Sequence, residues 1–320
     1  MITVGQLRAD LGLLLRNGAG RAVWLAVFLF AAVTSWITRH SAADQLAELR
    51  TLLRESGSDP DNGRCALLAP RFDMGDCVAA LRHHASDVSA EVLRTQYAEL
   101  MDSVAATSWE GALGFAARQS ASIVGFIALG MVLAVHVSTL WETGVARPAI
   151  AAVGPARIVV QKSVAVFVAA LVVLVASTLG ALTGRVLPVP GRLPPVAGDI
   201  GRSMVDLAHS YWMLCALGLF TVAVAIVSRQ FVSTFAVVMG LMAVCFVATL
   251  DRDLYAFSPA GWIATVMGFS RRTRHTVIDY FWTAEVGNHD PVLMGLAMTA
   301  FGLIPLVGAG WLLWRRKPRA

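Results

Sequence analysis

Six long stretches of this chain contain no aspartate, glutamate, lysine or arginine, and they constrain the fold more than any other feature. A helix that crosses the hydrocarbon core of a membrane needs about 20 mostly apolar residues, which rise about 1.5 Å each. The pattern predicts an all-α polytopic membrane protein with six transmembrane helices, five or seven being the alternative counts. The stretches are residues 22–38, 119–141, 163–184, 207–228, 230–250 and 291–314.

The composition agrees with this interpretation. Apolar residues make up 57% of the 320 residues, charged residues only 15%, and the mean hydropathy is +0.65. Soluble domains carry about 45–50% apolar and about 25% charged residues. Too little polar surface remains to cover a water-soluble particle, so the composition excludes a cytosolic globule and a disordered chain.

The basic residues predict which side each loop faces. With the N-terminus in the cytosol, the inside segments 1–21, 142–162, 229 and 315–320 hold 11 basic residues and two acidic ones. The other 15 basic and 19 acidic residues then lie outside, as the positive-inside rule requires. We therefore expect both termini in the cytosol and a retained first span. The net charge of +5 is accounted for by this orientation and does not indicate nucleic-acid binding. The Ala-, Val- and Arg-rich, Lys-poor composition is typical of proteins from GC-rich bacteria.

The segments outside the spans differ in character. Apolar residues at spacings of three and four predict an amphipathic helix within residues 1–21, lying in the headgroup plane. Residues 39–118 predict a small helical extracytoplasmic domain, and residues 185–206 form a Pro- and Gly-rich outer loop. Residues 251–290 form a second outer loop, in which the apolar segment 259–269 is long enough only for a re-entrant or interfacial helix. Residues 315–320 form a basic tail.

Cys65 and Cys77 both lie in the inserted domain. If the domain faces an oxidising compartment, we expect a Cys65–Cys77 disulfide, and two free buried thiols are the alternative. The loop that it closes would be short, and the bond would contribute about 3 kcal/mol.

Several kinds of site have no sequence signature here. No G-x-x-x-x-G-K-[ST] phosphate loop, H-E-x-x-H motif or paired C-x-x-C motif occurs, so we expect no ATP site, enzyme activity, cofactor or metal site in this chain. The charge-free spans also lack the ionisable groups that ion-coupled carriers place in the membrane. His136 is the better functional candidate inside a span, although a hydrogen-bonded interfacial histidine is the ordinary alternative. Gly180 and Gly184 form one G-x-x-x-G match.

The loop at 142–162 is the one sizeable inside loop. Pro148 suits a first helical turn, residues 149–153 continue it, and Gly154-Pro155 ends it. Such a short helix, with charges on either side, is suited to docking in a groove of a soluble partner.

At this loop the chain resembles the ABC-2 type permease subunits of ABC transporters. In that family, a Glu after the second span leads into a Gly/Thr-containing turn, a short coupling helix, a Pro-x-Arg and a Lys. This chain supplies Glu142, Thr143-Gly144, Pro155-Ala156-Arg157 and Lys162, although Thr and Gly follow Glu142 directly where a few residues usually intervene. The tight 228–230 hairpin, the short apolar segment before the last span and the basic C-terminus resemble the family as well.

The resemblance implies the partners and the mechanism. The permease would work as a pair, with an identical copy or a paralogue, and with two separate cytosolic ATPase subunits that bind ATP and Mg. Such systems usually export a hydrophobic or amphipathic compound, an antibiotic, a peptide or a lipid-linked molecule. The residues expected to couple the loop to the ATPase are Glu142, Arg147, Pro155, Arg157 and Lys162.

An export pathway would have apolar walls, for which spans two and five offer aromatic and methionine side chains. Ordinary packing or lipid contact is the alternative for each residue. The candidates are Phe126, Met131, Phe231, Phe235 and Met239. Two other functions compete with the permease: a membrane scaffold or sensor, whose outer domain binds a ligand and signals to a cytosolic partner, and a membrane enzyme acting on lipids.

Overall fold

A computed structural model describes residues 4–16, 18–55, 108–189, 198–248, 258–267 and 290–315. Every regular element in these ranges is an α-helix. In chain order they are α1 (Val4–Arg16), α2 (Gly18–Glu55), α3 (Trp109–Ser120), α4 (Ile123–Glu142), α5 (Ala146–Val153), α6 (Pro155–Val186), α7 (Ile200–Ser228), α8 (Phe231–Ala248), α9 (Pro259–Val266) and α10 (Pro291–Arg315).

Five of these helices are long and apolar enough to cross a membrane, which confirms a helical membrane protein in outline. They are α2 over Gly18–Asp44, then α4, α6, α7 and α10. The fifth charge-free stretch, 230–250, corresponds to α8, which has 18 residues and an apolar part of only Phe231–Cys245. At 1.5 Å per residue α8 reaches about 27 Å, slightly less than a typical hydrocarbon core.

The helices do not begin where the charge-free stretches begin. α6 begins at Pro155 and α7 at Ile200, so Lys162 and Asp206 lie inside helices although both flank the stretches in the sequence. The second stretch is divided, because α3 ends at Ser120 and α4 begins at Ile123 after the extended residue Ser122. α3 packs between α6 and α7, so residues 109–118 belong to the helical bundle and not to a separate domain. Residues 39–55 of the predicted insert continue α2, and residues 56–107, including Cys65 and Cys77, lie outside the described residues.

Capping groups, glycine and proline determine where the short helices begin and end. α9 begins at Pro259, where the Ser258 hydroxyl caps the helix by accepting a hydrogen bond from the Gly261 amide at 3.1 Å. It confirms a short helix in the segment 259–269, and it packs against α10. α5 ends at Val153 because Gly154 has φ +87° and Pro155 then occupies the first turn of α6. The predicted short helix in the 142–162 loop is confirmed.

The G-x-x-x-G pair is the contact between α6 and α2. A Cβ on Gly180 would lie 2.3 Å from the Phe28 carbonyl oxygen, and one on Gly184 would lie 2.2 Å from the Ala32 carbonyl oxygen. A hydrogen bond between the two helices accompanies this close approach: the buried Ser35 hydroxyl donates to the Ala181 carbonyl at 2.9 Å. Small residues at this spacing allow two membrane helices to touch backbone to backbone.

α7 passes through the centre of the bundle and packs against α3, α4, α6, α8 and α10. Met213, Leu214 and Leu217 on α7 are fully buried. The helices of the bundle end at two opposite sides of the molecule. At the end called here the distal end, Arg118 lies 3.9 Å from Asp206, and the Arg39 guanidinium donates to the carbonyls of Arg185 and Leu187. The opposite, basal end is formed by the junctions α1–α2, α4–α5–α6 and α7–α8.

Candidate functional site

α5 covers the basal end of the bundle with one face and leaves the other open. Gly144 at φ +76° turns the chain away from α4, and Ala146 is buried as α5 begins. Ala149, Ile150 and Val153 face inward over a cavity. The outer face presents small apolar side chains that are exposed, at Val145, Pro148, Ala151 and Ala152.

Two contacts attach the end of α4 to the turn between α7 and α8. The Glu142 Oε1 atom accepts a hydrogen bond from the Phe231 amide at 2.9 Å, so a side chain at the end of α4 caps the N-terminus of α8. The Arg229 guanidinium lies over the Trp141 ring, 4.7 Å from its centroid, within cation–π range. Arg229 itself is left-handed at φ 60° and ends α7. We call these contacts the hairpin latch.

A cavity of about 290 Å³, the loop cavity, lies beneath α5. Residues of five helices line it, and most of them are apolar. The polar side chains among them are Gln161 and Lys162, with the indole of Trp141. The lining residues are Leu13, Val137, Leu140, Trp141, Ala146, Ala149, Ile150, Val153, Ile158, Gln161, Lys162 and Ile226.

A second cavity of about 280 Å³, the hairpin cavity, lies beside the N-terminus of α8. Met131 and Phe231, two of the proposed pathway residues, face it together. His136 is its one titratable lining residue. The lining residues are Leu14, Ala19, Gly20, Val23, Met131, Val132, Val135, His136 and Phe231.

Lys162 and His136 connect the walls of the two cavities. The Lys162 Nζ atom lies 3.0 Å from the His136 Nε2 atom, and the lysine is only 2% exposed. The distance suits an ammonium that donates to an unprotonated Nε2. A buried cation is costly without polar partners, so a pair of such residues at this depth is a candidate site.

The structure places the predicted coupling residues in two environments. Glu142 and Arg157 are exposed at the basal end. Pro155 is buried at the first turn of α6, and Lys162 is buried seven residues further along. Lys162 therefore does not offer its ammonium on the outer surface of the loop. α5 includes Arg147, whose side chain is not among those described.

The predicted pathway residues also lie in different environments. Phe126 is fully buried in the core, while Met131 and Phe231 reach the hairpin cavity. The Phe235 ring stacks on the Phe231 ring with centroids 5.8 Å apart, and Met239 is 36% exposed. The five side chains do not line one continuous wall in this single chain.

Sequence reasoning missed the Lys162–His136 pair, although a signal was present. Ile158, Lys162, Ala165 and Val166 recur at spacings of three and four, and all four are buried on one face of α6. Within the described residues, no group of three His, Cys, Asp or Glu side chains could hold a metal ion.

Comparison with protein-family models, with curated proteins and with solved structures finds no match to this chain.

Proposed function

We propose that this chain is the permease subunit of an ATP-driven ABC transporter, an exporter of a hydrophobic or amphipathic compound. It would act in a bacterial cytoplasmic membrane as one of two permease copies or paralogues, with the ATPase on separate subunits. α8 would be its sixth span, and the inserted segment would form an extracytoplasmic domain with a Cys65–Cys77 disulfide.

The observation that carries the proposal is the form of α5. Its inner face lines the loop cavity. Its outer face is exposed and apolar, at Val145, Pro148, Ala151 and Ala152. An exposed apolar face on a short helix fits a hydrophobic groove of a soluble partner. Arg157, four residues after the end of α5, is exposed and would set the orientation of the docked helix by charge.

The hairpin latch supports a coupling role for the same loop. Movement of α5 would act on the end of α4, where Glu142 holds the Phe231 amide and Trp141 holds Arg229. α8 begins at Phe231, so displacement of the loop would pull on α8. A rigid connection of this kind can transmit a partner's closure to the spans.

The test is purification of the tagged protein from its native membrane in mild detergent, followed by mass spectrometry and an ATPase assay. We expect a stoichiometric polypeptide with a G-x-x-x-x-G-K-[ST] loop and ATP hydrolysis by the complex. Ala152→Glu, which places a carboxylate on the outer face of α5, should release this polypeptide. Ala152→Ser is the matched control and should retain it.

Two results would contradict the proposal. One is the absence of any ATPase in several detergents, which would favour the scaffold or sensor function. The other is an ATPase that remains bound to Ala152→Glu, which would show that α5 is not its docking helix.

A further inference from the structure

We propose that the loop cavity binds a single-chain amphiphile with a carboxylate head group, and that the carboxylate faces Lys162. This inference goes beyond the permease function and does not require an ATPase partner. It rests on the lining of the cavity, on the buried ammonium in its wall and on the charge of the surrounding surface.

The lining matches a hydrocarbon chain. Leu13, Leu140, Ile150, Ile158 and Ile226 supply branched aliphatic surface from five different helices. Contact with such a surface removes the apolar area of a hydrocarbon chain from water, which favours binding. The volume of about 290 Å³ lies just below the range typical of pockets for drug-sized ligands, so it suits one chain and not a two-chain phospholipid.

The polar part of the lining matches one anionic head group. Lys162 and Gln161 are adjacent in the wall, where they offer an ammonium and a side-chain amide. An ammonium has three N–H donors and can serve several acceptors at once, so Lys162 can bind a ligand carboxylate while it keeps its protein contacts, of which His136 at 3.0 Å is one. Charges interact more strongly among apolar surroundings than in water, which favours an anion here over a neutral head group.

The surrounding surface would concentrate anionic amphiphiles at this site. Arg8 and Arg16 on α1 and Arg157 on α6 are all exposed, and Leu13, on the same helix as Arg8 and Arg16, forms one wall of the cavity. A cluster of one sign of charge raises the local concentration of the opposite sign. The ligand would then lie directly beneath α5, so its presence would change how firmly α5 is held.

The experiment uses the full-length protein in lipid nanodiscs and a brominated undecanoic acid, because bromine quenches the fluorescence of indoles that it contacts. Trp141 lines the cavity and serves as the reporter. We expect saturable quenching that Trp141→Phe removes, and about tenfold weaker binding for the corresponding brominated undecanol. Lys162→Met should also weaken acid binding by about tenfold or more, as loss of a charged hydrogen bond predicts.

Matched variants separate binding from folding. Arg202→Met removes an exposed cation near the start of α7, at the distal end and away from the cavity and its basic surroundings, and should leave the saturable quenching unchanged. If Lys162→Met fails to fold, Ala149→Phe gives a second test, because it fills the cavity from α5 and should abolish the quenching. Val160→Phe is its control, since Val160 is exposed on α6 and does not line the cavity.

Three results would overturn the proposal. The first is quenching that rises linearly with the acid and does not saturate. The second is saturable quenching that Trp141→Phe or Ala149→Phe leaves intact. The third is equal affinity for the acid and the alcohol, which would show an apolar cavity that does not select for charge.

Discussion

The Glu142 side chain, at the last residue of α4, accepts a hydrogen bond from the Phe231 amide, the first residue of α8, at 2.9 Å. This contact joins α4 to α8 through two residues that are 89 positions apart in sequence. The first amides of a helix have no intrahelical acceptor, so a carboxylate at this point gives one of them a hydrogen-bond partner. Its negative charge also interacts favourably with the positive end of the helix dipole.

Glu142→Ala should therefore destabilise the protein by about 1 kcal/mol, the usual cost of losing an N-terminal cap. Glu142→Gln keeps an acceptor oxygen and should lose clearly less. Thermal unfolding in detergent, followed by circular dichroism, measures both variants. Equal midpoints for Glu142→Ala and the native protein would show that the contact contributes nothing to stability.

Gly184→Ala should destabilise the contact between α2 and α6. The added Cβ would lie 2.2 Å from the Ala32 carbonyl oxygen and 2.9 Å from the Ser35 Cβ atom, so the two helices would have to move apart. Overpacking of this kind typically costs about 1–3 kcal/mol, which exceeds the gain in helix propensity of up to about 1 kcal/mol.

Gly240→Ala is the matched control for Gly184→Ala, because Gly240 is also helical and a Cβ there would meet nothing within 4 Å. It should be neutral or slightly stabilising. The same unfolding measurement applies to both variants, and equal effects would show that the close approach of α2 and α6 is not needed.

The sequence predicted the elements whose signal is local. Charge-free stretches located the apolar parts of α2, α4, α6, α7 and α10. The Pro148 and Gly154-Pro155 pattern located α5, because proline and glycine act on the backbone directly. The helical spacing of leucines located α1.

The sequence did not predict where those helices begin or which side chains meet. Counting charge-free residues placed Lys162 in a loop, whereas it lies inside α6 with its ammonium against His136. A helix continues past a charge when a partner from another helix is available, and partners depend on packing that no local pattern contains. The contact of Glu142 with Phe231 was missed for the same reason.

Arg229 should respond to substitution according to backbone conformation as well as side-chain contact. Its φ of 60° is a left-handed conformation that costs an L-residue about 1–2 kcal/mol and glycine almost nothing. Arg229→Gly should therefore change stability little, because relief of strain offsets the lost contact with Trp141, worth about 0.5–1 kcal/mol. Arg229→Val should be more destabilising than Arg229→Gly, since a β-branched residue tolerates this conformation poorly. Denaturant unfolding ranks them, and a valine variant as stable as the glycine variant would contradict the turn geometry.

The disulfide can be tested by alkylation and mass spectrometry without reduction. We expect Cys65 and Cys77 to remain unmodified after denaturation, because each thiol is bonded to the other. Cys215 and Cys245 are free and buried, so they should be modified after denaturation and provide an internal control. Alkylation of all four cysteines would exclude the disulfide.

Arg118 and Asp206 form the ion pair that holds α3 against α7, and a double-mutant cycle measures its contribution. The Nε and Oδ2 atoms are 3.9 Å apart, with side chains 23% and 11% exposed. Removing one partner of a fully buried pair costs about 3–5 kcal/mol, and the partial exposure here reduces the expected cost to about 1–3 kcal/mol. Asp206→Asn and Arg118→Gln should therefore each destabilise the protein, while the double variant should lose less than the sum of the two. Asp44→Asn removes the exposed pair with His40 and should have no measurable effect. Strict additivity between positions 118 and 206 would show that the two charges do not interact, and that packing and the hydrogen bond from the Ser203 hydroxyl to the Glu110 carbonyl hold α3 in place without them.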